Sequence, residues 1–192
     1  RLATTGTASA ATITMYTHNR VCAVDGFAGS MFVAAVQGRT RAVAQIGAAW
    51  RSYEESWSGL PSPIYYSAQA RAALLTGDLA AARRWAAAFA PPLTAAPMIW
   101  LETSHVTRIR CLLASGSPQD LAAAASLAEQ CWVHAEQTHN VPVQVVLIGL
   151  RALLLARAGE HQAAIELLTG GLRLTAAAGF VRTYVELGPG LA

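Results

Sequence analysis

Apolar residues recur along most of this chain at intervals of three and four. Leu79, Ala82, Trp85, Ala86 and Phe89 form one such stripe; Leu121, Ala124, Leu127, Ala128 and Cys131 form a second; Ile165, Leu168, Leu172 and Thr175 form a third. On a helix that turns once every ~3.6 residues, each set falls on a single face. Strand-like alternation is confined to Thr12-Ile13-Thr14. Alanine, the residue with the highest intrinsic helix propensity, takes about a fifth of the positions. The pattern predicts an all-α fold.

The helical runs are punctuated regularly. Gly38, Gly77, Gly116 and Gly159 each follow one apolar run and precede another, at spacings of 39, 39 and 43 residues. Glycine suits the left-handed position just past a helix end. Asp78 and Ser117 follow two of them and are good helix caps, the latter with Pro118 at the first helical position. Wider gaps are marked by Gly59-Leu60-Pro61-Ser62-Pro63, Pro91-Pro92, Pro97, Asn140 with Pro142, and Gly179.

Four helix pairs follow: 27–37 with 40–56, 62–76 with 78–90, 96–115 with 118–138, and 142–158 with 160–178. A period near 39 built of helix, glycine turn and helix predicts a tetratricopeptide-like α-α superhelix, or solenoid. Residues 7–24 read as the second helix of a preceding, truncated pair. The organisation is then 1–26 as the end of a preceding repeat, 27–178 as the repeat domain, and 179–192 as a closing segment leading to an absent C-terminal domain. With Gly159 as the turn, Ala152 and Ala164 fall on the small sites of the fourth pair, and Leu155 and Leu168 on large ones. Ala70 and Ala82 take the small sites of the second pair. The first pair fits poorly, with Met31 and Val43 there, and the third carries extra residues, Pro118-Gln119-Asp120.

Composition narrows the function. With 54% hydrophobic and 13% charged residues, the chain has too much apolar surface for disorder. All 14 basic residues are arginine, which excludes a lysine-dependent phosphate loop or Schiff base. Cys22, Cys111 and Cys131 make no framework of bridges, and no signal peptide opens the chain, so the sequence reads as cytoplasmic. A net charge of +3 from scattered arginines argues weakly for nucleic acid. The apolar run 141–158 carries Pro142, Gln144, Arg151 and Arg157, and its clean part is under the roughly 18 residues a membrane span needs, so it reads as a buried core helix. The chain begins at Arg1 and ends just after Gly188-Pro189-Gly190, and it reads as a fragment of something longer.

The run Gly179–Pro189 (GFVRTYVELGP) resembles the segment that closes the helical-repeat region of MalT-like regulators, which are large bacterial LuxR-type transcription activators with an ATP-binding module. Leu153–Leu168 is similar to their last repeat, Leu74–Trp85 to an inner repeat, and Gly116–Ala124 matches in style; the resemblance covers residues 27–190. It implies a sensor and self-association region, cut free of an upstream ATPase and a downstream DNA-binding helix-turn-helix. ATP would belong to the absent part, and this fragment would hold no cofactor and contact DNA only through the absent domain. The absence of lysine and the degenerate first pair are departures from the family. The other reading is a tetratricopeptide-type scaffold that binds a peptide or protein and no small effector.

No catalytic motif is present: there is no lysine phosphate loop, G-x-S-x-G elbow or H-E-x-x-H, so the chain reads as a non-enzyme. Cys131, His134 and His139 have a metal-like spacing, but no second Cys/His pair lies nearby in sequence, so they read as a core cysteine with two helix-end histidines and no metal site. His105 and Cys111 lie off a shared helical face, and Glu54-Glu55 reads as a solvated helix face. In such arrays the first helix of each pair lines the concave groove. Counting back from the turn glycines places Phe32 and Ala35 there, then Ser67, Arg71 and Leu74, then Thr103, Val106 and Arg110. Arg71 and Arg110, 39 apart, would stand side by side as planar forks for carboxylate, phosphate or sugar hydroxyls. Tyr65, Tyr66 and Trp100 supply flat faces nearby. The alternative is that these arginines pair with local acids such as Glu102 and stay solvated. The candidate ligand set is therefore Phe32, Tyr66, Ser67, Arg71, Trp100, Thr103 and Arg110. Trp50, Trp85 and Trp132 read as packing between repeats; Trp57 has no assigned place.

Overall fold

A computed structural model describes residues 20–89, 93 and 102–176, and among these every regular element is a helix. The helices are α1 (Arg20–Val36), α2 (Thr40–Ser58), α3 (Pro63–Thr76), α4 (Leu79–Ala88), α5 (Ser104–Ser115), α6 (Pro118–Gln137), α7 (Val141–Arg157) and α8 (His161–Ala176). Residues 20–26, expected to end a preceding repeat, are instead the opening turns of α1. The closing segment 179–192 and the start of the chain lie outside the described residues. Two compact units are distinguished: residues 20–89 with 102–107, and residues 108–176.

The turns explain why the helices stop where they do. After α1, Gly38 donates to Ala35 O and Arg39 to Ala34 O; after α3, Gly77 donates to Leu74 O and Asp78 to Ala73 O. Gly159 and Glu160 repeat the pattern on Ala156 O and Leu155 O. Crossed bonds of this kind close a helix end when the residue past it is left-handed, and these glycines have φ of 68°, 83° and 85°. The same pair of bonds closes α6, where His139 and Asn140 donate to Glu136 O and Ala135 O. There the left-handed residue is His139, at φ 51°. Gly116 is also left-handed, at φ 72°, but its N–H reaches Leu112 O, so the third glycine marks a different turn from the other three. Three of the following helices are capped at once, while Arg39 before α2 makes no side-chain cap. Asp78 accepts from Ala81 N–H, Ser117 from Asp120 N–H and Asn140 from Val143 N–H.

In the first unit α1 packs on α2 and α3, and α3 packs on α2 and α4. The core between them is aromatic: the Phe27 ring stacks on Trp50 at 5.9 Å, and Trp50 meets Tyr65 edge-on at 5.5 Å. Met31, Ala68 and Ala72 fill the space around them. Small residues set the closest approaches. Ala70 and Ala82 are buried as their spacing predicts. Gly47 of α2 leaves room for the Gln69 side chain of α3, since a Cβ there would sit 2.3 Å from Gln69 Nε2.

In the second unit α7 packs on both α6 and α8. It is buried nearly all round, from Val143 to Leu154, which explains why its sequence shows no narrow stripe. Val145 and Ile148 pack with Trp132, Leu167 and Leu168, and Arg151 covers the Trp132 ring at 4.9 Å while pairing with Glu129 at 2.9 Å. Ala152 and Ala164 are buried at their small sites. No helix among the described residues is long and apolar enough to cross a membrane.

Candidate functional site

α3 carries two polar faces that begin on neighbouring residues. Ser67 and Arg71, one turn apart, face one way. Tyr66, Gln69, Ala73 and Thr76, spaced by three and four, face another. The structure gives the two faces different surroundings.

The Ser67 face is closed. The Glu102 carboxylate, only 1% exposed, is inserted against it. Oε1 accepts the hydroxyls of Ser67 and, at 2.6 Å, of Thr107. Oε2 lies 3.5 Å from Arg71 Nη1. The Arg71 guanidinium also lies over the Phe32 ring, 4.3 Å from its centre, and its side chain is 13% exposed. Phe32, Ser67 and Arg71, three of the residues expected to line an open groove, are thus brought together around a buried carboxylate. Pairing of Arg71 with Glu102 was one of the two readings of the sequence, but the pair is buried, not solvated. Desolvation makes such a carboxylate dependent on its donors and its cation.

The remaining members of the expected set are dispersed. Thr103 is half-buried just before α5, and its carbonyl accepts Thr107 N–H. Arg110 is half-buried and belongs to the second unit. Trp100 lies outside the described residues. Tyr66 is exposed, on the other face of α3.

That other face is open. α2, α3 and α4 surround a cavity of about 570 Å³. Alanines on all three helices, among them Ala44, Ala73 and Ala81, keep the lining shallow. Its walls are Val43, Tyr66 and Trp85, and its polar points are Thr40, Gln69, Thr76 and Asp78. Neighbouring rings hold both aromatic walls. Tyr66 meets Tyr65 edge-on at 5.2 Å, and Phe89 stacks on Trp85 at 4.7 Å. A cleft of this size, mostly apolar with a few polar points, is what small-molecule sites require. Of the expected ligand residues that are described, the cavity contains Tyr66 alone. The others were signalled by the three-and-four spacing of Tyr66, Gln69, Ala73 and Thr76, which marks a second face on α3.

Two other expectations change. Glu54 is buried: its Oε1 accepts Trp50 Nε1–H at 2.9 Å and the Ser62 hydroxyl at 2.8 Å, and its other oxygen accepts Ser62 N–H. It ties the end of α2 to the cap of α3, and only Glu55 remains solvated. Trp57 is exposed beside Tyr53. Among the described residues no three metal-ligating side chains are grouped. Cys131 is buried, and desolvation pushes its thiol up to about 12, so it stays protonated at neutral pH. His139 is spent on the turn after α6, and the His105 ring packs edge-on against Phe89 at 5.4 Å.

Comparison of the chain with family models, with curated proteins and with solved structures gave no match.

Proposed function

We propose that this chain is the helical-repeat region of a MalT-like, LuxR-type transcription regulator, a tetratricopeptide-like superhelix that senses an effector and mediates self-association. The observation that carries the reading is the repeated unit. The same crossed turn closes α1, α3 and α7, each time joining two packed antiparallel partners in the α1–α2, α3–α4 and α7–α8 pairs. Alanine stands at the crossing sites Ala70, Ala82, Ala152 and Ala164. The packing of α1 on α3, first helix on first helix, supports stacking of one pair on the next.

The resemblance of Gly179–Pro189 to the family's closing segment supplies the regulator part of the reading. In such a protein the effector acts by binding one associated state better than the other; equal affinity would shift nothing. The test is the uninterrupted reading frame and its product. A lysine phosphate loop upstream, a helix-turn-helix downstream, and self-association that shifts with ATP and a metabolite pool are expected. A frame without those two motifs overturns the regulator reading. Capture of a protein partner regardless of metabolites would mark a scaffold instead.

A further inference from the structure

We propose that the open cleft lined by α2, α3 and α4 is a binding site for a small arylalkylamine, a flat ring carrying a protonated amine on a short linker. The inference rests on the sensing part of the reading above and names the chemistry of the effector. It follows from what lines the cavity and what does not.

Charge decides the sign of the ligand. Among the described residues of the lining Asp78 is the sole charged one and no arginine takes part, and the chain has no lysine. An anion would therefore meet a carboxylate with no compensating cation, whereas an amine would meet its partner. Asp78 Oδ1 accepts Ala81 N–H at 3.0 Å, which fixes the carboxylate at the start of α4, and Asp78 also belongs to the lining.

Shape decides the rest. Asp78 caps α4, and Ala81 and Trp85 follow it at intervals of three and four, all three in the lining. Seven residues of helix span roughly 10 Å, and a helical side chain leans back over the preceding turn, which shortens the gap between indole and carboxylate. Ala81, having only a methyl group, leaves that interval open. A ring against Trp85 or Tyr66 and an amine at Asp78 would bridge it, with the cation drawn to both the carboxylate and the aromatic faces. Gln69 and Thr76 offer hydrogen-bonding groups along α3.

Gly47 gives an independent handle. It lies outside the lining, but a Cβ on it would collide with Gln69 Nε2 and displace that amide, which is part of the lining.

The test is isothermal titration of this chain at pH 7 with phenethylamine, and with phenylacetate and 2-phenylethanol as anionic and neutral counterparts. Phenethylamine is expected to bind with one site per chain, about tenfold or more tighter than phenylacetate. Asp78→Asn keeps the cap, since asparagine serves as well there, and is expected to reduce that preference to within about threefold. Gly47→Ala and Trp85→Ala are expected to weaken phenethylamine binding, with helix content checked by circular dichroism. No heat from phenethylamine up to about 10 mM overturns the proposal, as does tighter binding of phenylacetate, or binding that Asp78→Asn and Trp85→Ala both leave unchanged. These outcomes are independent of the flanking reading frame. A pocket that fails while the frame holds both motifs removes the amine site and leaves the regulator reading standing.

Discussion

Arg71 has two possible roles that differ in what its removal costs. If the side chain is held by Glu102, Arg71→Ala takes the cation from beside a carboxylate that is 1% exposed. Removing one partner of a well-formed buried pair costs about 3–5 kcal/mol. The 3.5 Å separation is longer than a hydrogen bond, and the Ser67 and Thr107 hydroxyls still serve the other oxygen, so the lower end applies. Loss of the guanidinium from the Phe32 face, 4.3 Å away, adds about 0.5–2 kcal/mol. The expected total is about 3.5–5 kcal/mol. Glu102→Gln removes the charge but keeps an oxygen for both hydroxyls, and about 1–2 kcal/mol is expected. Once the charge is gone, the missing cation matters less, so the double variant should lose about 1–2 kcal/mol less than the two single losses together. Urea titrations followed by circular dichroism and tryptophan emission give the four values of this cycle. Were Arg71 a solvent-facing arm for an anionic ligand, Arg71→Ala would change stability by no more than about 0.5 kcal/mol and the two substitutions would add. That result refutes the buried-pair reading. It also follows that loss of effector response in Arg71→Ala is no test of ligand contact unless folding is measured beside it.

Three further outcomes are expected. Glu54→Ala strands the Trp50 indole N–H and both donors of Ser62, and urea titration should show a loss of about 3 kcal/mol; a loss under about 1 kcal/mol would mean that these donors find other acceptors. His139→Gly relieves a left-handed residue and should raise stability by about 1 kcal/mol, whereas Gly77→Ala, at φ 83°, should lower it by a similar amount; a less stable His139→Gly would contradict the turn assignment. Exposed Cys22 should take up a thiol reagent at pH 8 in the native state, with Cys111 and Cys131 reacting only on unfolding, and mass spectrometry of the labelled peptides decides it. Because burial holds the Cys131 thiol near 12, the folded state keeps a proton that the unfolded state loses above about pH 8.5. Stability should therefore fall as pH rises from there towards 12, by at most about 1.4 kcal/mol per pH unit, and Cys131→Ala should flatten that limb.

The helical character of the chain, and the α1–α2, α3–α4 and α7–α8 pairs, were legible because the signals are local. A three-and-four apolar stripe, a left-handed glycine and a capping Asp or Ser all act within a few residues, so Gly38, Gly77 and Gly159 announced their turns, and Ser117-Pro118 announced α6. Asn140 and Pro142 marked the gap after α6, but the left-handed His139 was hidden because a histidine there carries a conformational cost that α6 and α7, packed on each other, must offset. The contact at Gly47 was hidden for a different reason. Gly47 matters only through Gln69 on another helix, and nothing in its own neighbourhood marks it.

Glu54 and Arg71 show where local reading of polar residues stops. Each sits at a helical spacing that allows a solvated face, and each is buried by a group from another segment: Ser62 for Glu54, Glu102 for Arg71. An acid or base in a sequence is solvated by default because desolvating a lone charge is so costly; a partner arriving from elsewhere in the chain reverses that. The match between Arg71 and Arg110 across 39 residues therefore carries no information about a ligand until the fate of each charge is known, and for Arg71 it is settled by Glu102. Tyr66 differs. A large amphipathic ring left exposed beside short alanines, on a face that no charged partner closes, keeps its surface available to a ligand. For recognition, then, the informative face of α3 is the one where side chains are small and the charge count is low.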